Sequence, residues 1–155
     1  MENTSTNKQW NVAEIQLTYR SKIKPSERPT INSSRDAFMV LENAWDFNQI
    51  DLIEQFKVVL TNRANKVLGL VDISTGGITS TVADVRLIFG AALKGGAAGI
   101  IVAHNHPSGN LSPSDADIIL TKRLKEAGKL LDIQLLDHII MTSEQYTSLA
   151  DEGFI

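Results

Sequence analysis

From Val12 to Tyr19 the chain alternates: Ala13, Ile15, Leu17 and Tyr19 fall on one side of an extended backbone and Glu14, Gln16 and Thr18 on the other. That period of two predicts a strand with one buried face. Residues 21–33 carry Pro25, Pro29 and many polar groups and read as a connector. The period then lengthens. Phe38, Leu41 and Trp45 recur at helical spacing behind Ser33 or Ser34, either of which can cap a helix running to about residue 45. After a turn over 46–51, residues 54–62 and 67–73 read as strands joined by Arg63-Ala64-Asn65-Lys66, an antiparallel hairpin.

A loop at Thr75-Gly76-Gly77 leads to a helix over 82–94, with Val85, Ile88, Phe89 and Leu93 on one face and Gly95-Gly96 as its stop. Residues 98–103 are wholly apolar, as in a central strand buried on both faces. A helix over 114–129 follows, striped by Ile118, Leu120, Leu124 and Ala127, with Gly128 near its end. Residues 130–141 predict a last strand, and Thr142 or Ser143 caps a short helix through residue 150. Strands interleaved with helices, a hairpin among them, predict an α/β protein: a three-layer α/β/α sandwich on a mixed sheet. Residues 1–11 are expected to be a flexible tail and 12–155 a single domain.

Composition narrows the chemistry. The absence of cysteine excludes disulfides, thiolate zinc sites and cysteine nucleophiles, and with them the cysteine-ligated zinc deaminases. The polar start lacks the apolar core of a secretory signal and no apolar run is long enough for a membrane span, so a cytoplasmic protein without membrane partners is expected. A net charge of −3 is no nucleic-acid footprint. Lys122, Arg123, Lys125 and Lys129, with Glu126 among them, read as a solvated helix face.

The candidate chemistry sits in residues 100–117, IIVAHNHPSGNLSPSDAD. The apolar run stops at His104-Asn105-His106, and alternation lets His104 and His106 point one way and Asn105 the other. Pro107 to Asn110 break regular structure, and Ser114 is placed as a helix N-cap with Asp117 in the first turn. Two imidazoles at a strand end and a carboxylate at a helix start can meet at one point. Two nitrogens and one oxygen suit zinc with its fourth position open to water, the form of a catalytic site. His138, beside Asp137 in the last predicted strand, is read as structural, with at most a supporting role through Asp137.

His104-x-His106, seven residues, then Ser114-x-x-Asp117, resembles the JAMM signature of the MPN/JAB metalloprotease-like domains. The fuller string HNHPSG…PS…D, followed by TKRLKEAGKLLDIQLLDHII, resembles the RadC branch of that superfamily from about Phe38 to the C-terminus. The resemblance implies a cytidine-deaminase-like fold and zinc-dependent hydrolysis of a peptide or isopeptide bond by attack of a metal-activated water. It implies a glutamate base on an upstream strand, since the chain has no H-E-x-x-H; Glu54 matches, and Glu42, on a predicted helix, is the competitor. It gives Ser114 an oxyanion-stabilising part beside its cap. The RadC branch carries a DNA-repair label, but its longer members have an N-terminal helix-hairpin-helix for which this chain lacks room, so a peptide or protein substrate is expected before nucleic acid. A DNA-repair accessory protein and a non-catalytic MPN-like scaffold are the alternatives; a scaffold has no need of an intact ligand trio.

Overall fold

The apolar run becomes the middle of strand β3 (Gly99–Asn105), every residue of which is buried. Strand β1 (Gln55–Thr61) pairs with it antiparallel and β4 (Gln134–Met141) parallel. Strand β2 (Val67–Thr75) flanks β1 and the short β5 (Tyr146–Ser148) flanks β4, giving a mixed sheet in the order β2-β1-β3-β4-β5. The computed structural model describes residues 12–76 and 83–155.

Side-chain alternation divides β3 between two cores. Ile100 and Val102 pack with Ile88, Phe89 and Ala92 of helix α2 (Val85–Lys94) and Leu124 of helix α3 (Asp115–Leu130). Ile101 and Ala103 pack on the opposite face with Ala37 and Leu41 of helix α1 (Ser34–Ala44) and with Trp45. Helices thus cover both faces of the sheet, giving the expected three-layer α/β/α sandwich. Ser33 caps α1, its side chain accepting from Asp36 N–H, and Asn62 builds the hairpin turn by accepting from Ala64 and Lys66 N–H. Lys122, Arg123 and Lys129 lie on the solvent side of α3. Among the described residues no helix is long and apolar enough to cross a membrane.

Four expectations are corrected. Residues 12–19 form no strand: Val12, Ile15 and Leu17 are 86%, 88% and 83% exposed, and Tyr19 touches β2 through its hydroxyl and the Leu68 carbonyl. Alternation makes a segment fit for a sheet, but a strand exists only where a neighbouring edge takes its hydrogen bonds. Helix α2 starts at Val85, where the Asp84 carboxylate accepts from Arg86 N–H, and its inner face uses Ala92 while Leu93 is exposed. Val82, Gly77 and residues 1–11 lie outside the described residues.

Residues 130–133 are helix end and turn, not strand. Gly128 lets Ile133 fold back on α3: its N–H reaches the Gly128 carbonyl at 2.9 Å, and a Cβ on Gly128 would come within 2.2 Å of the Ile133 oxygen. Lastly, the predicted helix over 143–150 is a turn followed by β5. The Thr142 hydroxyl caps that turn by accepting from Gln145 N–H, and the buried Asp137 carboxylate takes Ser148 Oγ at 2.7 Å and Ala150 N–H at 3.1 Å, holding the chain against β4.

Candidate metal centre

The carboxyl ends of β3 and β4 adjoin the start of β1 and of α3, where crevices form in sheets of this kind. Asn105, fully buried, turns to the α1 side of β3. Its amide donates to the carbonyls of Ile50 (2.6 Å) and Ile53 (2.8 Å), and its oxygen accepts from Gln55 N–H (2.7 Å). One side chain therefore ties the strand end to the loop carrying Glu54. Asn105→Ala leaves three backbone groups of that loop unpaired. We expect a loss of about 3 kcal/mol in unfolding free energy, read as a lower urea midpoint at unchanged slope. An unchanged midpoint would show that the loop holds itself.

His104 and His106 turn to the other face. Their Nε2 atoms are 3.0 Å apart, and Asp117 sends Oδ1 to within 3.2 Å of His104 Nε2 and Oδ2 to within 3.8 Å of His106 Nε2. Asp117 is aimed by a capping box: its Oδ2 accepts from Ser114 N–H and Ser114 Oγ, both at 2.7 Å, while Ser114 Oγ accepts from Asp117 N–H at 3.2 Å. His106 is aimed by the loop after it, since its Nδ1 lies 2.5 Å from the Asn110 carbonyl. A carbonyl only accepts, so that nitrogen carries the proton and Nε2 of the neutral ring is left as a lone pair.

Burial pushes the Asp117 carboxyl up, but the adjoining His104 ring and then the Ser114 donors outweigh it, holding the group well below the usual carboxylate range. An ionised carboxylate and two imidazole nitrogens thus converge, their candidate ligand atoms all within 4.8 Å of one another. Donors sharing a tetrahedral ion at bonds of about 2.0–2.2 Å stand roughly 3.3–3.6 Å apart, so the three residues fit such an ion. Among the described residues this is the one such group, and it could hold a metal. His106 and Asp117 are partly open to solvent while His104 is buried, which leaves an approach from one side.

Glu54 is not part of this cluster. It precedes β1, its carbonyl accepting from Gly76 N–H at 2.8 Å. It stands two residues before Phe56, whose backbone pairs with His104. Glu42 is exposed on α1, which covers the face opposite His104. Ser114 has its hydroxyl engaged with Asp117.

His138 corrects a sequence reading. It does not act through Asp137, whose carboxylate accepts from His138 N–H, Ser148 Oγ and Ala150 N–H. Its ring is fully buried against the site: Nε2 is 2.9 Å from His104 Nδ1, and Nδ1 is 2.7 Å from Thr121 Oγ1. Burial, and then the neighbouring His104, push the ring down to about 3, so it is neutral. Thr121 escaped sequence reasoning altogether, for a threonine inside a helix carries no motif.

Residues 31–154 match the family model for the RadC-like JAB domain. A UPF0758 protein of Flavobacterium johnsoniae is 46% identical over 123 residues, covering 79% of this chain and 52% of that protein. UPF0758 proteins of Desulforamulus reducens and Porphyromonas gingivalis are 40% and 39% identical over 145 residues, covering 92% and 93% of this chain and 62% and 63% of their own length. The chain therefore spans between 52% and 63% of the length of these relatives.

Proposed function

The chain belongs to the RadC-like JAB domain family, and from that premise we propose that it is a zinc-dependent hydrolase of the JAMM type, acting on a peptide or isopeptide bond. The observation that carries this reading is the convergence of His104 Nε2, His106 Nε2 and the Asp117 carboxylate on one partly open point. Three ligands with room for a fourth is the donor set of a catalytic rather than a structural zinc site. A zinc ion held there would act as a Lewis acid and lower the pKa of a water toward neutrality.

The chain's own residues do the rest. Glu54 takes the proton from the attacking water and delivers it to the leaving amine as the carbon–nitrogen bond breaks. Ser114 steadies Asp117 through its N–H, and its hydroxyl, turned away from Asp117, is our candidate donor to the oxyanion of the tetrahedral intermediate. The partner is a peptide or protein. Duplex DNA is disfavoured by a net charge of −3, since such binding draws most of its free energy from phosphate neutralisation.

The test is metal analysis of protein never exposed to chelator, followed by a peptide and isopeptide library. We expect about one zinc per chain, in line with a three-ligand site, bound more weakly in acid because protons compete for the imidazoles. Protein free of divalent metal would remove the site. A tight gel shift on duplex DNA at physiological salt, without cleavage of any peptide, would move the reading to the nucleic-acid accessory.

A further inference from the structure

Two buried side chains behind the ligands have no part in the chemistry above. Thr121, on the inner face of α3, is 1% exposed, and His138, on β4, is 0% exposed. Thr121 Oγ1 lies 2.6 Å from the backbone carbonyl of Asp117, one helical turn earlier, and 2.7 Å from His138 Nδ1. His138 Nε2 in turn lies 2.9 Å from His104 Nδ1.

The protons along this path follow from counting. A hydroxyl has one proton and a carbonyl oxygen only accepts, so Thr121 donates to Asp117. The Thr121 oxygen is then an acceptor toward the ring, so His138 Nδ1 carries a proton. In the neutral ring Nε2 is left as a lone pair, which accepts from His104 Nδ1–H. With that proton on Nδ1, Nε2 is the nitrogen His104 can offer to an ion, and it faces Asp117 Oδ1 at 3.2 Å and His106 Nε2 at 3.0 Å. Turning His104 to its other tautomer would set two lone pairs against each other across the 2.9 Å gap to His138 and aim an N–H into the middle of the site.

Given the metal-centre reading above, we infer that His138, held by Thr121, is a positioning residue that locks His104 as an Nε2 donor and ties the end of β3 to the first turn of α3. The hydrogen bonds run from the Asp117 backbone through Thr121 and His138 to His104, linking both elements that supply ligands. The relative placement of His104 and Asp117 is therefore set before an ion arrives. A partner that fixes the tautomer of a ligating histidine is a recurrent source of metal affinity.

Long-range 1H–15N NMR of the full chain, labelled at histidine and metal-free, reads which ring nitrogens carry protons. We expect a proton on Nδ1 of both His104 and His138 and none on Nε2 of His138. His138→Leu removes both bonds of the ring. It is expected to weaken zinc binding by about 10- to 100-fold and to let His104 populate the Nε2–H tautomer. His138→Gln, whose amide oxygen can take the His104 proton, recovers most of that affinity. Thr121→Val keeps the volume, loses the hydroxyl and gives a smaller loss in the same direction, which covers the case of His138→Leu failing to fold. A purely structural His138 would lower melting without moving the His104 tautomer or the zinc affinity of folded protein. A His104 Nδ1 without a proton in the parent would overturn the inference, as would parental zinc affinity in both Thr121→Val and His138→Leu. A parent that binds no zinc yet shows the expected tautomers would defeat the metal reading and leave the positioning network standing.

Discussion

Replacing His106 with alanine is expected to abolish stoichiometric zinc binding and turnover together. His106 supplies one of two imidazole donors, its Nε2 standing 3.0 Å from that of His104, and the pair is completed by a carboxylate already committed to the same point. Two remaining donors make a poor zinc site, and among the described residues no other side chain joins the cluster to replace the third: Asn105 faces the other side of β3 and Glu54 stands outside the cluster. The substitution also releases the loop after β3, because His106 Nδ1 holds the Asn110 carbonyl. Zinc at 100 times its dissociation constant stabilises a folded protein by about 2.7 kcal/mol. The parent should therefore melt several degrees higher with zinc than without, and His106→Ala should show no such rise. Zinc stoichiometry and melting with and without the ion measure both halves. A variant that keeps one zinc and the parental rise in melting would take His106 out of the ligand set.

Glu54→Gln should give the opposite signature. It keeps the shape of the side chain, removes the basic oxygen and leaves the three candidate ligands untouched. Zinc content and melting should match the parent, while turnover on a cleavable substrate falls by about 100-fold or more, the scale of general acid–base catalysis. Position favours Glu54: the Asn105 amide and the Gly76 N–H fix the backbone around it, two residues before the Phe56 that pairs with His104. Glu42, its competitor on sequence, lies exposed on α1 beyond the opposite face of the sheet. Parental turnover in Glu54→Gln beside an inactive His106→Ala would mean that the proton leaves by another route. Parental turnover in both would mean that the reaction does not run through this site.

Features that depend on near neighbours in the chain could be read from the sequence. The apolar run before His104 had to be a buried central strand, because no other element hides so many consecutive apolar residues. Ser114 had to open a helix, and the spacing to Asp117 made the capping box. The hairpin around residues 62–66 and the helix starting behind Ser33 were legible for the same reason. So was the trio of His104, His106 and Asp117 as residues able to meet: alternation on a strand and the first turn of a helix are local geometries.

Where a feature depends on partners far along the chain, only the tertiary structure decided it. Residues 12–19 carry the alternation of a strand but pair with no edge, whereas Tyr146–Ser148, with little pattern, becomes a strand because Asp137 holds the chain against β4. His138 is the clearest case. Leu135 packs with α2 and α3 and Leu136 with α1, as alternation requires, but the register shift against β3 at this point puts His138, rather than Asp137, on the side of His104. Simple alternation from Leu135 would have sent His138 to the far face. A bulge adds one residue to a strand and so inverts the facing of everything after it. Its place is set by how β4 meets β3, which no stretch of sequence contains by itself.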